Sequence, residues 1–178
     1  MIYRISKKFG PQDNDWDDYL EWAGLQNCQE FYSIDGLMRP RLFTPESAEE
    51  WDNCVNADFR IHLITNLDFA KRIISNYSEA EILGVLENPK FSNEMIPSDH
   101  ILVGYDIIDE YNDISLLTNW GGKKAGIQNL KINPYALIDN LEYAYELKEM
   151  LHKNFPKDDH AKACEVWSVY KLETQIVD

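Results

Sequence analysis

The stretch Ile101-Leu102-Val103-Gly104-Tyr105-Asp106-Ile107-Ile108 decides the fold class. Apolar residues stand at both odd and even positions, so neither face of a strand built from it would suit water. The run is also too short for an ordinary helix and rich in β-branched and aromatic residues, which predicts a buried strand, central in a sheet. Working outward, Ile2-Tyr3-Arg4-Ile5 has the same character and ends at Gly10 and Pro11, while Arg60 to Thr65 predicts another strand. Val166-Trp167-Ser168-Val169-Tyr170-Lys171-Leu172 alternates, as a strand with one side in the core does, and returns the end of the chain to the sheet. Ile114 to Trp120 fits a strand or a short helix equally well.

Between these strands lie helical signals. Trp16, Tyr19, Leu20 and Ala23 recur at helical spacing behind Asp13, Asp15, Asp17 and Asp18, whose charges suit a helix N-terminus, and Gly24 closes the segment. Leu25 to Arg41 reads as loops or a short strand, with Asp35-Gly36 and Arg39-Pro40 as turn signals. Thr44-Pro45 caps a helix reaching about Val55, and Thr65 or Asn66 caps one carrying Phe69, Ala70, Ile73, Ile74 and Tyr77. Ser78-Glu79-Ala80-Glu81 matches a capping box and predicts a short helix through about Leu86. The strongest helix spans Leu137 to Phe155, where Leu141, Ala144, Tyr145, Leu147 and Leu151 form an apolar stripe. Strands and helices thus predict an α+β fold, a mixed or antiparallel sheet with helices packed on it. No repeat or linker divides residues 1–178, which read as a single domain.

A chain of 178 residues with 44% apolar content has material for a core without staples. No uninterrupted apolar run approaches the length of a membrane span, and Met1 to Gly10 lacks the apolar centre of a signal peptide. Cys28, Cys54 and Cys164 are odd in number and far apart, which predicts reduced thiols and a cytoplasmic setting. The net charge of −14 is the main deviation, and −9 of it falls in residues 11–60 and −4 in residues 101–120. A field of this sign repels phosphate backbones, so nucleic acid is an unsuitable partner and a basic protein a suitable one.

Familiar catalytic signatures are absent: no phosphate-binding P-loop, dinucleotide fingerprint, zinc-protease helix or nucleophile elbow occurs. Asp13-Asn14-Asp15-Trp16-Asp17-Asp18 imitates the start of a calcium loop, but Asp18 stands where a glycine is needed and Gly24 where the bidentate glutamate belongs. Gly121-Gly122-Lys123-Lys124-Ala125-Gly126 reads as a turn. His160 and Cys164, four apart, would share a helix face, yet two donors do not make a site. No cofactor, metal site or catalytic set is therefore expected. Two acidic clusters remain: Asp13, Asp15, Asp17, Asp18 and Glu21, then Asp106, Asp109, Glu110 and Asp113 with Tyr105, Tyr111 and Trp120 interleaved. Aromatic anchors rimmed by charge suit a protein contact, and these twelve residues are the predicted binding surface.

Leu102-Val103-Gly104-Tyr105-Asp106, Ser115-Leu116-Leu117-Thr118-Asn119, the helix from Asn140 and Val166-Trp167-Ser168-Val169-Tyr170 together resemble the small acidic immunity proteins found beside bacterial polymorphic toxins. That resemblance implies a module that neutralises a basic toxin domain, such as a nuclease, by binding it. A rival expectation is an enzyme using carboxylates or Cys28 in a cleft. A third is a structural or scaffold protein.

Overall fold

The structure is a computed structural model, and it describes residues 1–7, 20–21, 23–28, 30–35, 55–56, 63–75, 77–78, 80–109, 114–118 and 130–173. Among the described residues seven strands form one sheet: β1 (Ile2–Lys7), β2 (Val55–Asn56), β3 (Leu63–Ile64), β4 (Ala80–Glu87), β5 (His100–Asp109), β6 (Ile114–Ser115) and β7 (Cys164–Leu172). Their order is β2-β3-β1-β4-β7-β5-β6, and every neighbouring pair is antiparallel. Among the described residues the helices are α1 (Leu67–Ile74), α2 (Leu141–Asn154) and α3 (Asp159–Ala163). The fold is α+β, with the antiparallel alternative realised.

The alternation of side chains along each strand divides the core between two faces. On one face Tyr3, Ile5, Ile64 and Ala80 meet Phe69, Ala70 and Ile73 of α1, and Ile107, Cys164 and Val166 meet Ala144, Leu147 and Leu151 of α2. On the other, Leu83, Val85, Ile108, Trp167 and Val169 are covered by Tyr32, Ile34 and Leu137, which belong to chain without helix or strand. Asn66 caps α1 by accepting from the Phe69 amide at 3.1 Å, and Asn140 caps α2 by accepting from the Tyr143 amide at 2.9 Å. Each cap satisfies an amide that the first helical turn leaves without a partner.

Four expectations are corrected. The capping-box helix is instead β4, which pairs with β1 from Ile2↔Val85 to Lys7↔Ala80 and with β7 from Leu83↔Lys171 to Glu87↔Trp167. Strand pairing on both sides, with Leu83, Val85 and Leu86 buried, outweighs a local cap signal. Nor is β5 central: it runs along β7, but β6 covers its other side only at Ile108 and Asp109. The interior positions belong to β4 and β7, and β7, expected to have one side in the core, is covered on both faces, with Trp167, Ser168, Val169 and Tyr170 all buried. Finally, α2 starts at Leu141 and not Leu137, because Ala136, Leu137 and Ile138 are buried against the sheet, with Ala136 at φ 61°, and Ile138 exchanges backbone hydrogen bonds with Tyr105 at 2.8 and 2.9 Å.

Other expectations stand within the described residues. Ile114 and Ser115 form the strand option of their segment, and Gly24, at φ 75°, closes the helical turn containing Leu20, Glu21 and Ala23. The helix expected after Thr44 lies outside the described residues except at its end, where Val55 belongs to β2.

Candidate interaction surface

Asp106 does not belong to a surface. It is fully buried, and its carboxylate accepts from the Ser33 hydroxyl (2.8 Å), the Ile34 amide (2.9 Å), the Ile107 amide (2.8 Å) and the Ser115 hydroxyl (2.6 Å). Around it, Asp35 accepts from the Ser115 amide at 2.8 Å, and the Arg4 guanidinium donates to the Asp35 carbonyl at 2.6 Å. These groups hold residues 31–35, all buried, against the sheet. A buried segment without regular structure needs such partners, since its amides have no ladder to enter. Burial pushes the Asp106 carboxyl up to about 6, and hydrogen bonds from Ser115, Ile34, Ser33 and Ile107 pull the other way.

Asp109 is likewise buried, bonded to His160 Nδ1 of α3 at 2.5 Å. The acidic surface predicted from these two residues is therefore corrected: the covering segment 31–35 takes one carboxylate and α3 takes the other. Tyr105 is half-buried and Glu21 exposed, whereas Asp13, Asp15, Asp17, Asp18, Glu110, Tyr111, Asp113 and Trp120 lie outside the described residues.

Two thiols bear on nucleophilic chemistry. Cys28 is half-buried, lies 3.9 Å from the Asn133 carbonyl, and burial raises its pKa. Cys164 is fully buried, donates to the Ala161 carbonyl at 3.0 Å and lies 3.6 Å from His152 Nε2. Burial pushes this thiol up to about 12, so it remains protonated at neutral pH and makes a poor nucleophile. Among the described residues no group of three or more His, Cys, Asp and Glu side chains is placed to hold a metal ion, and no helix is long and apolar enough to cross a membrane.

A different feature stands out. Among the described residues the exposed large apolar side chains are Met95 (91% exposed), Phe91 (75%), Ile101 (51%), Leu102 (43%) and Ile96 (36%). All lie in the β4–β5 connection, residues 88–99, or on the first turns of β5 that β6 leaves uncovered. The connection is tied down at both ends and at Glu94. The Asn88 amide donates to the Val166 carbonyl at 2.8 Å, and the Phe91 amide donates to Asn88 at 2.9 Å. The Met1 amino group pairs with Glu94, the His100 amide donates to Pro97 at 3.1 Å, and the Glu173 amide donates to Asp99 at 2.8 Å. Lys90 bonds Glu142 of α2 at 2.9 Å and sits 5.4 Å from the centre of the Tyr145 ring, which Phe91 meets edge-on at 5.9 Å. A backbone already held by hydrogen bonds adds little further ordering cost when its side chains dock. Glu142 (67% exposed), Glu94 (49%) and Asp99 (47%) supply acids to the same region.

The sequence reading missed this surface because Phe91, Met95 and Ile96 are scattered among polar residues with no period. The available signal was large apolar residues in a connection bounded by Pro89 and Pro97. Compared with known proteins, the chain matches no family model, no curated protein and no solved structure.

Proposed function

We propose that this chain is an acidic protein-binding module whose contact surface is the β4–β5 connection with the start of β5, and that its partner is a basic protein. The observation that carries this reading is the outward display of Phe91 and Met95 by a segment that hydrogen bonds hold in place. Folding leaves most of the apolar surface of these two side chains in water, and anchors ringed by charge are the usual composition of an interface centre and rim. The rim carries Glu94, Asp99 and Glu142 beside their cationic partners Lys90 and the Met1 amino group, and the net charge of −14 sets the sign of the long-range field. A basic partner is steered by that field, and its association slows as salt rises. The specific form of this function is immunity: capture of a toxin domain whose own substrate groove is basic, as a nuclease groove is. Residues 11–60, with a charge of −9, add to the steering.

The test uses the full-length protein as bait in lysate of the native cell, beside a Phe91→Ser/Met95→Ser variant. A basic protein held by the wild type, lost from the variant and released by added salt supports the reading. A basic protein held equally by both moves the contact elsewhere, and the absence of any protein distinguishing the two baits overturns the proposal.

A further inference from the structure

We propose that Met95 is a site of reversible oxidation by peroxide-class oxidants, converting an apolar anchor of this surface into a polar one. The part of this inference that concerns binding rests on reading the β4–β5 connection as the docking surface; the chemistry does not.

Of the four methionines, Met38 lies outside the described residues and the other three differ sharply in access. Met95 is 91% exposed. The Met1 side chain is 5% exposed and packs beside Tyr3 and α1, and Met150 packs on the α2 core cluster. Thioether oxidation requires the oxidant to reach a sulfur lone pair, so exposure orders the rates. The restraints on both sides of Met95 hold the backbone, leaving its side chain without a cover that must first open.

The reaction balances with the oxidant alone. The Met95 sulfur attacks one peroxide oxygen, a sulfur–oxygen bond forms and the O–O bond breaks. Sulfur loses two electrons to become the sulfoxide, and the departing oxygen takes up the protons to leave as water. The product carries a strong dipole where a partner's apolar pocket would receive a thioether, and burying that dipole without a donor opposes docking. Methionine sulfoxide reductases reverse the step, whereas simple thiols do not, which separates it from oxidation of Cys28, Cys54 or Cys164.

The experiment exposes the full-length protein to limiting hydrogen peroxide, then to dithiothreitol to restore the cysteines, and follows peptide masses and the fluorescence of Nile red, a neutral apolar-surface probe. Met95 should gain one oxygen about tenfold faster than Met1 or Met150. Nile red fluorescence should fall severalfold, recover with the reductase, and be insensitive to peroxide in Met95→Leu. Equal rates at the three methionines, or a Nile red loss that persists in Met95→Leu, overturns the inference. Oxidised wild type should also lose the basic protein of the bait experiment by roughly tenfold or more. If Phe91→Ser/Met95→Ser loses that protein while oxidised wild type retains it, the switch fails and the docking reading survives. If neither loses it, the docking reading fails and the Met95 chemistry is judged on mass and dye alone.

Discussion

Four donors converge on Asp106, two from hydroxyls and two from amides, and together they fill the acceptor positions of one carboxylate. Both hydroxyls accept in turn, Ser33 from the Asp35 amide at 3.2 Å and Ser115 from the Leu117 and Thr118 amides at 3.2 and 3.3 Å. Asp106→Ala strands the donors and is expected to cost about 2–4 kcal/mol of stability, measured by urea unfolding. The same group makes stability depend on pH. Its carboxyl is raised from its ordinary 3.8 to about 6, so the folded chain holds this proton more tightly than the unfolded chain. The contribution is fully present below pH ~4 and is lost as pH rises to ~6, a change of about 3 kcal/mol at most. Asp106→Asn keeps the shape and cannot titrate. Unfolding curves of the two proteins should therefore converge in slope outside this window and differ within it; identical pH dependence would remove Asp106 as the source.

At the scale of elements, Gly104 explains why β5 is irregular where it is. A register shift separates Leu102 from Gly104, Gly104 lies at φ 149°, and a Cβ there would stand 2.7 Å from Leu137 Cβ and 3.0 Å from the Ile138 carbonyl oxygen. The bulge lets residues 133–138 lie close against the strand, with the Asn133 side-chain amide donating to the Val103 carbonyl at 2.8 Å. Gly104→Ala combines a backbone conformation nearly reserved for glycine with a clash against the Leu137 Cβ and a tight approach to the Ile138 carbonyl, and is expected to destabilise by about 2–4 kcal/mol. A midpoint within experimental error of wild type would show that this approach is not required. Element identity was well signalled where period and cap agreed, as for α1 behind Asn66 and most of α2. At Ser78 the cap signal pointed to a helix and the partner strands made a sheet, because a cap is worth about 1 kcal/mol and strand burial several times that.

For the whole molecule, the proposed contact surface and the core are separate. Phe91 and Met95 are exposed, so Phe91→Ser/Met95→Ser should leave unfolding within about 0.5–1 kcal/mol of wild type while abolishing capture of the basic partner. A large loss of stability would instead assign Phe91 a packing role through its edge-on contact with Tyr145. Burial of Asp106 and Asp109 follows a related rule. Charge is a property of composition and survives any fold, but whether a given carboxylate meets water depends on what crosses it.

The amino-acid sequence by itself determined the class of fold, most of the strands and helices, and the sign of the molecule's field, because these follow from side-chain period, propensity and charge. Tertiary structure alone decided that β7, last of the described strands in the chain, lies near the middle of the sheet, that β5 lies near its edge, and that Asp106 and Asp109 face inward. It also decided that the apolar side chains from Phe91 to Leu102 face outward. Those outcomes depend on pairing and covering by segments distant in the chain. Residues 31–35 reach Asp106, α3 reaches Asp109, and β6 stops short of Ile101 and Leu102.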